Sequence, residues 1–360
     1  MRKKLYSLLF ALIAGMSIVN AEDCYTGGFC YNLNRSSMTA TVTYRGDTYS
    51  SYTDEYSGAV RVYKTVYYGG ESFTITAIGD WAFAGCTGIT SVSLSSTIEK
   101  IGEEAFYNCK ELPSIVIPGN VMIIGERAFY SCKSLQSVTI SEGVKSIGER
   151  AFESCPISSV AIPASITSIG EAPFMGCTSL IGIEVSEEND RYTSRDGVLF
   201  NLSGNTLIQY PGGKQGAYTI PDGVYTIGKA AFADCLALSS VTIPSTVAYI
   251  EKYAFDNCEA IDTITNYAAT PQVIDANVFG YKNLSACTLC VPEESVNAYK
   301  TAEVWKNFGK IIGVKVPEED MTAIENVSQA QDKSRKFIRN GLLVIEKGGK
   351  TYSVSGAEVE

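Results

Sequence analysis

The sequence predicts a repeat solenoid, β-rich with short helices, in which a parallel sheet runs along one concave face. Two observations carry this. A pattern of about 23 residues recurs seven times in register between Ile78 and Cys258. Within each copy, apolar residues spaced four apart give way to strict apolar/polar alternation, the switch from a helical to a strand period.

The first residues read as a targeting segment. Arg2, Lys3 and Lys4 precede an apolar run from Leu5 to Val19, and Val19-Asn20-Ala21 fits a small-residue cleavage site. The run is short for a membrane span, so residues 1–21 are expected to be a signal peptide cleaved near Ala21. No other apolar run could span a membrane, so no transmembrane segment is expected in the mature chain. Cys24 lacks the small-residue context of a lipid-anchored cysteine.

The intact chain carries a net charge of −10, and removing the signal peptide takes away three positive charges. Such a chain is a poor nucleic-acid partner, because neutralising phosphates needs clustered Lys and Arg. The sequence contains no histidine. That excludes Ser-His-Asp and Cys-His catalysis and every His-ligated metal site. Carboxylate pairs, Ser-Lys pairs and all-Cys or all-oxygen metal sites remain as chemical routes.

Residues 22–74 hold nine tyrosines and alternate in a β manner ("TATVTY", "VRVYKTVYY"). They predict a β cap over the edge that the first repeat would otherwise leave open.

The solenoid is expected over 75–292. Its copies begin at Ile78, Ile101, Ile124, Ile147, Ile169, Ile227 and Ile250. "IGERAFYSCKSLQSVTI", "IGERAFESCPISSVAI" and "IGKAAFADCLALSSVTI" show the unit. Ile147, Ala151 and Cys155 stand at i, i+4 and i+8, which predicts one face of a short helix. The alternation Ser159-Val160-Ala161-Ile162 predicts a strand, and Pro163 ends it. The Gly after the leading Ile (Gly79, Gly102, Gly125, Gly148, Gly170, Gly228) is expected at a tight turn or positive φ. The spacing Leu135, Val138, Ile140 fits the strand of a leucine-rich repeat.

An insertion at 186–219 interrupts the rhythm. It predicts a β-hairpin turning near Ser203-Gly204-Asn205, serving as a spacer or a recognition surface. Its acidic start, "SEENDRYTSRDG", lacks the spaced oxygens of an EF-hand loop and reads as a solvated loop. A helical cap is expected at 293–315, a linker at 316–335, and a β-rich tail at 336–360 with Asn-Gly and Gly-Gly turns.

Seven cysteines share one position of the unit: Cys86, Cys109, Cys132, Cys155, Cys177, Cys235 and Cys258. A nucleophile occurs once, in a singular environment. A residue repeated seven times on an inward face is a core ladder of free thiols. Cys24 and Cys30 could bridge within the N-terminal cap, or stay reduced. Cys287-Thr-Leu-Cys290 lies in an apparent strand, where its two thiols face opposite sides. Glu103, Glu126 and Glu149 recur one turn into the expected helices, where they suit the dipole. No catalytic, cofactor or metal site is nominated.

What remains is the outward strand column: Ser91, Ser93, Ser114, Val116, Ser137, Thr139, Ser159, Ala161, Gly182, Glu184, Ser240, Thr242, Thr263 and Thr265. These are small and mostly hydroxylic. They form the candidate binding face, for a protein or glycan whose identity is unknown, or else a solubilising surface without a ligand. The column shows no aromatic platform for sugar stacking.

The unit resembles the BspA-like leucine-rich repeats of bacterial surface proteins over roughly Ile75 to Pro292. "YNLNRSSMTATVTY" and "LCVPEESVNAYKTAEVWKNFGKI" are similar to the family's N-terminal cap and end segment. The tail "KFIRNGLLVIEKGGKTYSVSGAEVE" resembles the C-terminal sorting tails of type IX-secreted Bacteroidetes proteins; the alternative is a small added β-element. The resemblance implies a secreted or outer-surface adhesion or binding module without catalysis. A structural surface protein without a ligand, and a parallel β-helix polysaccharide enzyme, are the competing readings.

Overall fold

The computed structural model describes residues 24–45, 55–317, 334–339, 342–347 and 350–353. The expected signal segment and most of the expected linker lie outside these residues. The chain forms two compact units. The first holds Met1–Ser203, Ile208–Lys214 and Ala230–Cys235, and the second holds Gly204–Leu207, Gln215–Lys229 and Leu236–Glu360.

In the first unit the N-terminal cap feeds both strand columns of the repeats. Cys24–Thr26, Phe29–Asn34 and Thr39–Thr43 form an antiparallel meander. Thr39–Thr43 then pairs in parallel with Glu71–Ile78. That strand opens a column of short parallel strands at Lys100–Ile101, Ile123–Ile124, Ser146–Ile147 and Ser168–Ile169. On the other column, Gly58–Arg61 pairs in parallel with Ile89–Ser93. Both groups of ladder hydrogen bonds at the first repeat are thereby satisfied.

Like residues stack on like between turns. The rings of Phe83, Phe106, Phe129, Phe152 and Phe174 follow one another at centroid distances of 5.1, 5.1, 5.2 and 5.6 Å, within 15° of parallel. This offset stacking adds about 0.5–1.5 kcal/mol per pair beyond burial. Phe29 and Tyr56 end the column by meeting Phe83 edge-on at 6.1 and 5.1 Å.

The segment between the two strand columns is not helical. Ile147, Ala151 and Cys155 are buried as their spacing requires, but the backbone is a run of turns with Arg127, Ser131, Arg150 and Ser154 at positive φ. The amides of Ala128, Tyr130 and Cys132 donate three residues back within the turn. Those of Arg127, Phe129 and Ser131 donate to Glu149, Ala151 and Glu153 of the next turn. A helix would use every amide internally. Here half of them join neighbours, and a four-residue period results from repeated turns. Glu103, Glu126 and Glu149 therefore meet no helix dipole.

The glycine column has a different cause from the expected one. None of Gly79, Gly102, Gly125, Gly148 and Gly170 has positive φ; a Cβ on Gly148 would lie 2.5 Å from the carbonyl carbon and oxygen of Gly125. Close approach of successive backbones excludes a side chain there.

Near the start of the insertion, Asn189 is buried. Its Nδ2 donates to the carbonyls of Pro163 (2.9 Å) and Ile166 (3.0 Å), and its Oδ1 accepts from the amides of Arg191 and Tyr192. A hairpin follows, pairing Tyr192–Arg195 with Val198–Asn201 around Asp196 and Gly197, both at positive φ. The chain turns again near the expected Ser203-Gly204-Asn205 before the strand Thr206–Gln209. The insertion thus carries two reversals.

In the second unit Gly216–Thr219, Leu238–Ile243, Thr263–Asn266, Thr288–Pro292 and Lys310–Val314 pair in parallel in that order. Its end is closed less by helix than by rings. The helix Val296–Tyr299 is a single turn. Trp305 packs edge-on to Phe279 at 5.8 Å and to Tyr299 at 5.6 Å. Trp305 Nε1 donates to Gln272 O at 2.9 Å, and the Tyr299 hydroxyl to Ala268 O at 2.9 Å, so both buried polar tips are satisfied. In the tail, Ser334–Arg339, Leu342–Lys347 and Lys350–Ser353 form an antiparallel three-stranded sheet.

Candidate functional site

The outward face is set by strand alternation. In the first unit Ile115, Ile117, Val138, Ile140, Val160 and Ile162 are buried, which turns their neighbours to solvent. Register places Ser114 beside Ser137 and Val116 beside Thr139. It also places Ser159 beside Gly182 and Ala161 beside Glu184. Ser91, Ser93, Ser114, Val116, Ser137, Thr139, Ser159, Ala161 and Glu184 are exposed and Gly182 is half-buried. Val116 is 60% exposed, an apolar point on a surface that is otherwise small and mostly hydroxylic apart from Glu184. In the second unit Ser240 lies beside Thr263 and Thr242 beside Thr265, all four half-buried.

The second unit adds a feature that the sequence reading did not find. Thr219 is in register with Thr242. At this end of the strands lies a cavity of about 460 Å³ lined by Thr219, Thr242, Asp222, Tyr267, Pro221 and Pro244, with Pro317 completing its wall. The sequence carried one signal for it. Most copies place Pro or Ser after the strand (Pro118, Ser141, Pro163, Pro244), and the copy ending at Asn266 places Tyr267 there. An aromatic side chain therefore does stand at the edge of the hydroxyl column.

The cysteine ladder is core. All seven of its cysteines are buried and none is in a disulfide. Cys109, Cys132, Cys155 and Cys177 each point Sγ at the carbonyl of the phenylalanine one turn earlier, at 3.3, 3.1, 3.0 and 3.1 Å. Burial pushes the thiols of Cys132, Cys155 and Cys177 well above their ordinary pKa, so they are neutral and unreactive at neutral pH.

The Cys24–Cys30 bridge is not formed. Register puts Cys24 opposite Tyr31 and Cys30 opposite Tyr25. Adjacent residues of a strand face opposite sides, so the two thiols diverge. Cys30 Sγ instead lies 3.6 Å from Glu55 Oε1. Cys287 is buried, with Sγ 3.4 Å from Ile261 O, and Cys290 is half-buried.

The charged residues around Cys155 form a structural network. Arg150 Nε lies 3.8 Å from Glu149 and 3.6 Å from the buried Glu153. Burial raises the Glu153 pKa, and the Arg150 and Arg127 guanidiniums oppose the rise. Burial, with the carboxylates of Glu126 and Asp80 adding to it, likewise raises Glu103. Among the described residues no group of three or more Cys, Asp or Glu side chains is placed to hold a metal ion. No helix among them is long and apolar enough to cross a membrane.

No curated protein matches the chain. Among solved structures it is similar to a leucine-rich cell surface protein of Faecalibacterium prausnitzii. That similarity has a TM-score of 0.55 and 24% identity, over 85% of this chain and 98% of the other. It is also similar to the pneumococcal vaccine antigen PcpA, with a TM-score of 0.53 and 17% identity, over 83% of this chain and 100% of the other. At these identities the likeness is one of fold. The family model for the BspA type leucine rich repeat region matches six copies over residues 71–181 and 214–330, more than half of the sequence. The chain belongs to the BspA-type leucine-rich repeat family.

Proposed function

We propose that the protein is an exported binding or adhesion module, displayed at the outer cell surface or secreted, that recognises a protein or glycan without catalysis. The observation that carries this reading is the outward strand face of the first unit. Its small side chains leave the backbone close to any ligand, and Ser114, Ser137, Thr139 and Ser159 offer hydroxyls that both donate and accept. Parallel strands repeat these groups about every 4.8 Å. Many weak, regularly spaced hydrogen bonds suit an extended partner. The sequence of the first 21 residues supports export, and the resemblance of 336–360 to type IX sorting tails supports a sorting role for the tail.

An array of extracellular-matrix proteins and glycans tests this. Saturable binding by the mature chain is expected. It should fall at least tenfold when Ser137→Gln, Thr139→Gln and Ser159→Gln are combined with the fold intact. Binding unchanged by the triple variant moves the site off this face. Absence of any binding supports a purely structural surface role.

A further inference from the structure

We propose that the cavity at the end of the second unit's strands is a sugar-binding pocket. It would seat a short stretch of a neutral, linear glycan whose residues follow the threonines Thr219, Thr242 and Thr265. The proposal rests on the binding reading above and names a ligand class and a location for it.

The lining carries the chemistry. A pyranose has an apolar face of C–H groups and a rim of hydroxyls. Tyr267 offers an aromatic surface for the first, and Pro221 and Pro244 add apolar walls. Asp222, Thr219 and Thr242 offer the second what it needs: a carboxylate accepts from two adjacent hydroxyls, and threonine hydroxyls donate and accept. The cavity's 460 Å³ lies within the range of small-molecule sites. Among the described residues, Asp222 is the only ionisable side chain lining it besides the tyrosine, which disfavours phosphorylated, sulfated or uronic sugars.

The threonines give direction. Thr219, Thr242 and Thr265 occupy matching positions of three consecutive parallel strands. Their spacing of about 4.8 Å is close to the length of one pyranose unit in an extended chain. A glycan lying across the strands would meet one hydroxyl per residue and reach the Tyr267 ring. A lysine or arginine side chain is the other ligand that an aromatic ring beside a carboxylate can hold. It would use the ring and Asp222 but leave the threonine column without a partner.

The test is titration of the mature protein by calorimetry against neutral hexasaccharides of β-1,4-glucan, β-1,3-glucan, α-mannan and β-1,4-galactan, with trilysine and triarginine alongside. At least one neutral hexasaccharide is expected to bind, more tightly than its disaccharide. Tyr267→Ala and Asp222→Asn should each weaken it tenfold or more, and Tyr267→Phe should stay within threefold of the parent. Circular dichroism and the thermal midpoint establish that the variants fold. Binding of the peptides and of no glycan, lost in Asp222→Asn, overturns the sugar assignment in favour of a cationic partner. Glycan binding unaffected by Tyr267→Ala but lost with the Ser137, Thr139 and Ser159 changes overturns the pocket while sparing the general reading. Failure of every probe here, alongside matrix-protein binding on the array, does the same.

Discussion

The thiol of Cys155 points at the carbonyl oxygen of Phe129, 3.0 Å away on the preceding turn. The same carbonyl accepts the amide of Cys132 at 3.3 Å. Cysteine at this position is thus a small apolar filler that also supplies a weak donor. Cys155→Ala removes a sulfur from a fully buried site and is expected to cost about 1–3 kcal/mol of stability. Ligand affinity should not change. Urea unfolding and a binding titration on the same variant check both halves, and a loss of affinity with stability intact would contradict the core assignment.

The buried thiols also predict an alkaline limit. Cys132, Cys155 and Cys177 have pKa values raised well above the ordinary 9.0 by burial. Above about pH 9 the unfolded chain releases these protons and the folded chain keeps them. Stability is therefore full below that pH and declines as pH rises through it, by roughly 1 kcal/mol per pH unit for each thiol. Tyr31 and Tyr210, both pushed up to about 12 by burial, extend the decline above pH 10. Urea midpoints measured under reducing conditions at pH 7, 9 and 10 should fall in that order. Replacing Cys132 and Cys177 by alanine should flatten the slope.

Gly148→Ala should be among the most damaging single changes in the first unit. The added methyl would sit 2.5 Å from the Gly125 carbonyl, and both glycines are held in place by amide hydrogen bonds to the preceding turn, Gly125 N to Ile101 O and Gly148 N to Ile124 O. A cost of about 3 kcal/mol or more is expected. Gly27→Ala is the control: its site is open, so only the strain of positive φ remains, about 1 kcal/mol. Thermal unfolding of the two variants should separate them clearly.

Asn189 ties the insertion to the preceding turn. Asn189→Ala leaves the Pro163 and Ile166 carbonyls without their side-chain donor, and the Arg191 and Tyr192 amides without their acceptor. A loss of about 2–3 kcal/mol is expected. Limited proteolysis should then cut first near the 192–201 hairpin.

Stacking identity was legible in the sequence, because Phe83 through Phe255 and the cysteine ladder recur in register, about every 23 residues on either side of the insertion, as only a stack of like turns explains. The local backbone was not. A run of turns and a helix both bury residues at i, i+4 and i+8, and nothing in Ile147, Ala151 and Cys155 distinguishes them. The glycine column likewise had two physical causes, and only the meeting of Gly148 with Gly125 selects close approach. The Cys24–Cys30 pairing stayed open in the sequence, since a separation of six positions says nothing about the register that sets Cys24 opposite Tyr31. The outward column was readable from alternation alone. The cavity was not, because Thr219, Thr242 and Tyr267 come from three successive turns and meet only in the fold.

Every second amide between Arg127 and Cys132 is spent on the neighbouring turn. A lone 23-residue unit therefore has no fold of its own, yet each interior unit offers its predecessor the same acceptors that it takes from its successor. Whole units can be duplicated or deleted in a gene without leaving an unmatched junction, whereas a frame shifted by a few residues leaves one at every contact. Chain length in such a protein is free to drift in steps of one repeat, while the caps and the sites beside them stay unchanged.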